Sequence, residues 1–222
     1  GTGNINVARA KLSATQDDVS TTYGTAFDTD AYAAKTHFTG LTNGDENRTI
    51  AVSYENTGAV TDAAEIAKGR VTQNAGTGYT LTGTITDTNV LNNYETNDST
   101  ALQKVTSNST VNQAEITINT VKNLTYGEKG VDVHTTTGTE NTIASGKLVN
   151  GDTGIVSVTN TSTTYDGNKG TRDTADANTY ASTTIGLTVT DADGNDVSTN
   201  YKLAGTGNIN VARAKLSATQ DD

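Results

Sequence analysis

The sequence predicts an all-β fold: two tandem antiparallel β-sandwich-like repeat domains with minor short helices, arranged end to end. Threonine and asparagine supply 46 and 23 of the 222 residues, a bias towards strand-forming and turn-forming types. Apolar residues alternate with threonines over residues 79–86, which is the pattern of a strand with one buried face. Asp193-Gly194, Asp166-Gly167 and Asn43-Gly44 are of the residue types found in tight turns. Short strands joined by such turns favour a sandwich.

An exact internal duplication predicts the large-scale organisation. Residues 1–18 recur without a change as residues 205–222, an offset of 204 residues. Eighteen consecutive identical residues are not expected by chance, and a fixed period is the signature of a repeat architecture. We therefore expect a parent chain of near-identical tandem repeats of 204 residues, of which this sequence contains one period and an overhang.

A weaker repeat divides each period in two. Ala10-Lys11-Leu12 is echoed by Ala114-Glu115-Ile116, and other landmarks follow in the same order. Because unpaired strands seek sheet edges, we expect incomplete repeats at either end to be frayed or to pair with a neighbouring molecule. The predicted parts are the closing strand of a preceding repeat (1–9), repeat domain A (10–113), repeat domain B (114–213) and the opening strand of a following repeat (214–222).

Local patterns predict the remaining elements. Residues 184–190 alternate like residues 79–86 and form a second predicted strand. Residues 30–35 and 62–68 predict two short helices, each with an aspartate suited to capping. The apolar positions change from odd-numbered to even-numbered residues between residues 111 and 114, and again between residues 211 and 214. A slip of one residue turns the side chains to the opposite face of the sheet. One extended segment is thus predicted to end one domain and begin the next.

Composition excludes several function classes. The net charge of −10, with only 15 scattered Lys and Arg, argues against nucleic-acid binding, which needs clustered cations. The absence of cysteine removes disulfides, thiolate metal sites and thiol catalysis. No apolar run approaches the length of a membrane span, so we expect no membrane insertion in this segment. No nucleophile elbow occurs among the many Ser and Thr, and we expect that the chain is not an enzyme and needs no cofactor.

A single acidic loop is the candidate metal site. Asp191, Asp193, Asn195 and Asp196 place oxygen-bearing side chains close together, and Ca²⁺ takes several such hard ligands. The spacing differs from that of an EF-hand, and the same residues also suit a plain hairpin turn with its charges in water. Zinc is disfavoured, since the two histidines, His37 and His134, lie at unrelated positions.

The order of short motifs resembles a bacterial repeat family. The first half contains Ala10-Lys11-Leu12, Tyr23-Gly24, Leu41-Thr42-Asn43-Gly44-Asp45, Gly78-Tyr79 and Asn93-Tyr94. The second half contains Ala114-Glu115-Ile116, Tyr126-Gly127, Leu148-Val149-Asn150-Gly151-Asp152, Asn200-Tyr201 and Ile209-Asn210-Val211. Together they resemble the MBG and YDG repeats of very large bacterial surface adhesins, including filamentous-haemagglutinin-like proteins. The second half departs from the pattern, because it has Thr179-Tyr180 where the first has Gly-Tyr.

This resemblance implies an extracellular protein of the bacterial cell surface, concerned with cell adhesion and biofilm. The expected function is structural: an extended stalk or spacer that projects an adhesive region. The alternative is that each repeat is itself a weak binding module for glycan, matrix protein or neighbouring cells, acting through avidity. The expected partners are adjacent copies of the repeat, with a host or neighbouring-cell surface as a further candidate.

Overall fold

The computed structural model describes residues 3–128, 135–137, 142–145, 148–152, 157–161, 174–181, 184–204 and 208–220. The chain divides into two compact units, Gly1–Asn112 and Gln113–Asp222. The described residues are largely strand with few short helices, so the predicted β class is confirmed at that level.

The first unit contains eight strands and three short helices among its described residues. The strands are β1 (Ala10–Lys11), β2 (Ser13–Gln16), β3 (Val19–Thr22), β4 (Thr36–Thr39), β5 (Val52–Asn56), β6 (Gly76–Ile85), β7 (Tyr94–Glu95) and β8 (Lys104–Asn112). The helices are α1 (Ala31–Ala34), α2 (Ala63–Ala67) and α3 (Thr88–Asn93).

The largest sheet of the first unit runs in the order β3-β8-β6-β5. Its central strand β6 has the predicted alternation, because Leu81, Gly83 and Ile85 are buried while the threonines between them are partly exposed. The first unit has two further strand pairings: β1 pairs with β7 over two residues, and β2 pairs with β4 over four residues. Leu12, which lies between β1 and β2, packs in a core cluster with Tyr94. The cluster also contains one residue each from β6, from α3 and from the loop between β7 and β8.

Helix capping explains two of the three helices. The Asp62 side chain accepts hydrogen bonds from the backbone N–H groups of Ala64 and Glu65, at 2.8 and 3.1 Å, and opens α2 as predicted. Asp87 opens α3 in the same way. The predicted helix at residues 30–35 is also present as α1, but its N-cap Asp30 makes no side-chain cap bond, and Asp28 bonds to this turn instead.

The second unit contains strands β9 to β16 and one 3₁₀ turn among its described residues. The strands are β9 (Ala114–Thr125), β10 (Thr135–Thr137), β11 (Thr142–Ser145), β12 (Ser157–Thr161), β13 (Thr179–Ala181), β14 (Thr184–Thr188), β15 (Tyr201–Ala204) and β16 (Asn208–Ala212). The 3₁₀ turn is Ser198–Asn200. The strand orders are β11-β9-β16-β13, with β15 also on β9, and β10-β12-β14.

The two units share their strand pairings. The opening strand lies parallel to a short strand that begins with tyrosine: Ala10 pairs with Tyr94, and Ala114 with Tyr201. This opening strand comprises β1 to β3 in the first unit and β9 alone in the second. Its middle part pairs antiparallel with the next strand, as β2 does with β4 and β9 with β11. Its last part pairs parallel with the closing strand, as β3 does with β8 and β9 with β16. Antiparallel neighbours of the closing strand follow, β6 in one unit and β13 in the other. The sequence echoes therefore mark equivalent positions of two related folds.

The predicted antiparallel arrangement is wrong in one respect, because the sheets are mixed. In each unit the opening and closing strands run side by side in the same direction, Val19–Thr22 against Ser109–Asn112 and residues 120–125 against Asn208–Ala212. Local alternation reports which face of a strand is buried but not the direction of its neighbour, so the sequence pattern could not reveal this.

The closing strand of the first unit leads directly into the opening strand of the second. Val111 is buried, the next two residues are exposed, and Ala114 and Ile116 are buried again. The burial pattern thus changes parity at residues 112–113, as the sequence predicts for this junction.

Candidate functional site

The predicted acidic loop forms a tight turn. The Asp191 carboxylate accepts hydrogen bonds from the main-chain N–H groups of Asp193 and Asn195, at 3.0 and 2.8 Å. Its other oxygen accepts from the Asn195 side-chain amide at 3.0 Å. Gly194 has a φ of 83° at the tip, and Thr190 and Asp196 form an isolated bridge below it. The turn chemistry predicted for Asp193-Gly194 is therefore present.

The four predicted calcium ligands do not converge as one group. Asp191 and Asn195 are bonded to each other, with the amide nitrogen rather than its oxygen turned to the carboxylate. Asp196 instead accepts from Ser198, at 2.6 Å from the hydroxyl and 2.9 Å from the main-chain N–H, and these two bonds lower the pKa of Asp196. In the part of the chain that the structure describes, no three acidic or histidine side chains are grouped for a metal. Calcium binding here stays a prediction.

The histidines are placed apart from this loop. The His37 ring lies 3.0 Å from the Asp17 carboxylate, and both side chains are largely exposed. His134 lies outside the described residues. The Asp166-Gly167 turn prediction also lies outside them.

A buried tyrosine anchors the Asn-Gly-Asp turn of the first unit. The Tyr94 hydroxyl lies 2.8 Å from both the Asp45 carboxylate and the Thr42 carbonyl, and it accepts from the Thr42 N–H at 3.2 Å. The turn has φ values of 60° at Asn43 and 87° at Gly44, which these residue types tolerate. The Thr42 N–H acts to lower the pKa of Tyr94, but burial and the Asp45 carboxylate outweigh it and raise that pKa.

The second unit repeats this arrangement 107 positions later, from Tyr94 to Tyr201. The Tyr201 hydroxyl donates to the Asp152 carboxylate at 2.6 Å and accepts from the Val149 N–H at 3.0 Å. Asn150 and Gly151 have φ values of 59° and 79°. Two of the motifs that carry the family resemblance, Asn-Gly-Asp and Asn-Tyr, are thus joined by hydrogen bonds. The tyrosine, at the start of the strand next to the opening strand, holds the Asn-Gly-Asp turn. It is structural in both units.

A second shared contact fixes each Tyr-Gly turn, and sequence reasoning missed it. The Gly24 N–H donates to the Thr72 hydroxyl at 2.9 Å, and the Gly127 N–H donates to the Thr174 hydroxyl at 2.7 Å. Both threonines are buried. In a chain with 46 threonines, nothing local marks these two as special.

A charged cluster lies beside the tyrosine-anchored turn of the first unit. The Arg48 guanidinium lies 2.5 Å from the buried Asp87 carboxylate and 3.7 Å from Asp45. Burial acts to raise the pKa of Asp87, but the hydrogen bond from Arg48 and those from the main-chain N–H groups of Val90 and Ala51 together lower it. The cluster joins the cap of α3 to the tyrosine-anchored turn.

An ion pair with reversed charges occurs beside the opening strand. The Lys11 ammonium lies 2.6 Å from the Glu95 carboxylate, and these residues are register partners of β1 and β7. At the equivalent positions of the second unit, Lys202 is the register partner of Glu115. The positive residue stands on the opening strand in one unit and on its neighbour in the other.

The duplicated eighteen residues lie in opposite environments in their two copies. Leu12 is 1% exposed, whereas its duplicate Leu216 is 96% exposed. Conversely, Ile5 is 92% exposed and its duplicate Ile209 is fully buried. Residues 3–9 and 213–220 form no strand. Each unit therefore buries a different half of the same sequence, and the other half of each copy is left outside.

Two surface depressions among the described residues have mostly polar linings. One of about 570 Å³ lies in the second unit beside Leu124, Asn178 and Val211, and one of about 410 Å³ lies in the first beside Asn43, Asn89 and Tyr94. Among the described residues, no helix has the length and apolar character needed to cross a membrane.

Comparison with known proteins adds no further constraint. No protein-family model matches this chain, and neither a curated protein nor a solved structure is significantly similar to it. The likeness to MBG and YDG repeats therefore rests on the sequence motifs themselves.

Proposed function

We propose that this chain is a structural repeat segment of a bacterial cell-surface adhesin. Its units form an extracellular stalk, arranged end to end with adjacent copies of the same repeat, that projects an adhesive region. The observation that carries this proposal is the direction of two strands in each unit: the last part of the opening segment, β3 or residues 120–125 of β9, is hydrogen-bonded to the closing strand, and the two run parallel.

Parallel terminal strands suit a chain under tension. Opposite forces on the two ends of such a unit slide its opening and closing strands past each other, so their hydrogen bonds are loaded together. If the strands were pulled apart from one shared end, the bonds would break one at a time. In the first unit four residue pairs join these strands, Val19–Thr22 with Ser109–Asn112, and in the second unit five pairs join residues 120–125 with Asn208–Ala212.

The repeated turn anchor supports the same function. In both units a buried tyrosine holds an Asn-Gly-Asp turn beside the opening strand, through Tyr94 and through Tyr201. Because the same tyrosine-anchored turn is present in both units, we infer that it stabilises each unit rather than binding one specific ligand. A spacer of many copies needs this property in each copy.

Single-molecule pulling tests the proposal, and the cysteine-free chain allows handles to be placed at will. Cysteines replacing Asp17, which lies just before β3, and Asn112 load β3 and β8 in the sliding direction. Cysteines replacing Thr22 and Asn112, which are register partners, peel the same strands from one end. We expect a clearly higher rupture force for the first pair. Equal forces, or a higher force for the peeling pair, would remove the mechanical argument for a stalk.

Small-angle scattering tests the end-to-end arrangement. Two units of roughly 100 residues placed end to end give a radius of gyration of about 24 Å, against about 17 Å for one compact globule of this length. We expect the larger value. A compact particle that also binds glycan or matrix protein would favour the alternative, in which each repeat is a binding module.

A further inference from the structure

Strand β5 of the first unit has one edge that pairs with no other strand. It stands last in the sheet order β3-β8-β6-β5, and β6 is its only strand neighbour among the described residues. On either side of β5, Ala51 and Thr57 make main-chain hydrogen bonds of 2.9 and 3.0 Å to the chain of β6. Bonding directions alternate along an antiparallel strand, so the main-chain groups of Val52 and Tyr54 point away from β6.

The equivalent strand of the second unit is paired on both edges. The sequence Val-Ser-x-x-Asn-Thr occurs at residues 52–57 and again at residues 156–161. In the second copy of this sequence, β12 pairs with β14 on one side, as β5 does with β6, and with β10 on the other. The pairing of β12 with β10 is antiparallel. The side of the strand that β5 leaves open thus accepts an antiparallel neighbour in the related unit.

Helix α1 takes the place of β10 in the first unit. Both elements follow the Tyr-Gly turn and precede the strand that pairs with the opening strand. No main-chain hydrogen bond joins α1 to β5 in this fully described part of the chain, and the two meet through the rings of Tyr32 and Tyr54, 5.6 Å apart. Strand β5 also has no proline, lysine or bulge, the features that commonly protect a sheet edge.

We propose that the open edge of β5 pairs antiparallel with the same edge of a second copy of this chain. The two-fold axis passes beside Tyr54, whose outward N–H and C=O groups exchange hydrogen bonds with those of the partner's Tyr54. The sheets of the two copies then continue as one across the contact. This inference does not rest on the stalk function, because it uses only the edge of β5 and its paired equivalent.

The register about Tyr54 brings compatible side chains together. Ser53 and Glu55 are exposed on the solvent face of β5. In the pair, Ser53 lies opposite the partner's Glu55, so the one charged residue of β5 faces a hydroxyl group and not a like charge. The contact uses the same five-residue strand from each copy, so it closes at the dimer and is weak. Association therefore depends on protein concentration.

Opposite charges placed at Ser53 test the proposal. Ser53→Lys sets a positive charge opposite the partner's Glu55 twice in each dimer, whereas Ser53→Glu sets two like-charged pairs there. Ser53 is exposed, so both variants should keep the fold. Sedimentation equilibrium of the full chain at high concentration measures the dissociation constant. We expect it to be about tenfold or more lower for Ser53→Lys, with a limiting mass of twice 23.0 kDa.

A second substitution separates this pairing from a general effect of net charge. Adding Glu55→Gln to both variants removes the charge that Ser53 faces, and the difference between their dissociation constants should disappear. Equal constants for Ser53→Lys and Ser53→Glu, no dimer in either, or a difference that survives Glu55→Gln overturns the proposal.

Disulfide trapping tests the register, because the chain has no cysteine of its own. One chain carries Ser53→Cys, a second carries Glu55→Cys, and the two are mixed and oxidised. Residues directly opposite in this pair have Cα atoms about 4.5 Å apart, within disulfide range, whereas two copies of position 53 lie on a diagonal at about 7–8 Å. We expect the heterodimer to exceed its random share. A random distribution among the three linked products contradicts the register.

Discussion

Leu12 and Leu216 occupy the same position of the duplicated sequence, and we predict that truncating them has opposite consequences. Leu12→Ala removes three buried carbons from a side chain that is 1% exposed. At about 0.8 kcal/mol per buried methylene this loses about 2.4 kcal/mol of transfer free energy. The cavity left behind brings the expected cost to about 2–5 kcal/mol. Leu216→Ala acts on a side chain that is 96% exposed and should change the free energy of unfolding by less than about 0.5 kcal/mol.

Urea unfolding of the two full-length variants, beside the unmodified chain, measures this difference. Leu12→Ala should lower the midpoint of the transition assigned to the first unit, and Leu216→Ala should leave both transitions in place. Ile209→Ala and Ile5→Ala provide the reciprocal test on the second unit, since Ile209 is buried and Ile5 is 92% exposed. The reasoning is refuted if the members of either pair destabilise the protein equally, because identical sequences would then lie in equivalent environments.

Three further predictions concern the first and second units separately. Tyr201→Phe leaves the buried Asp152 carboxylate without the hydroxyl that donates to it and should cost about 1–3 kcal/mol, measured by urea unfolding. Gly40→Ala should cost about 1–3 kcal/mol, because φ is 102° there and an added Cβ would lie 2.5 Å from a main-chain oxygen, whereas Gly78→Ala has open space and should be nearly neutral. Asp87 has a lowered pKa, so the stability it contributes is present at neutral pH and is lost as the pH falls through that pKa, below the ordinary 3.8. Asp87→Asn keeps a capping residue and should flatten the dependence of the urea midpoint on pH below 4.

Each of these predictions has a result that contradicts it. A Phe variant as stable as the parent would mean that the tyrosine hydroxyl makes no net contribution. Equal stability of the two glycine variants would show that the backbone shifts without cost. An unchanged acid dependence in the asparagine variant would assign that dependence to other carboxylates.

Much of the local structure could be predicted from the sequence. The alternation at residues 79–86 located the buried face of β6, and Asp62 located the start of α2. The parity change near residue 113 marked the junction between the two units. These features depend on neighbours in the chain, and the relevant physics is turn chemistry and the pleat of a strand.

Other features depend on partners distant in the chain, and local pattern could not find them. Helix α3 has the sequence Thr-Asn-Val-Leu-Asn-Asn, a run of mostly poor helix formers, and its first turn is held by the Asp87 cap with Val90 buried in the core. The parallel direction of the terminal strands comes from tertiary pairing. For the candidate site, the turn around Gly194 was predictable from its residue types. The hydrogen bonds from Ser198 to Asp196 could not be predicted, because several nearby polar groups could equally donate to that carboxylate.

The reversed charge pair beside the opening strand bears on how two related units in one chain avoid folding incorrectly. Neighbouring units of related sequence can exchange strands while they fold, which is a characteristic failure of repeat proteins. If the second unit's opening strand entered the first unit, Glu115 would face Glu95, and in the opposite exchange Lys11 would face Lys202. Like charges directly opposite one another on paired strands are destabilising. The opposite placement of the charges in the two units therefore favours the pairing of each opening strand within its own kind of unit.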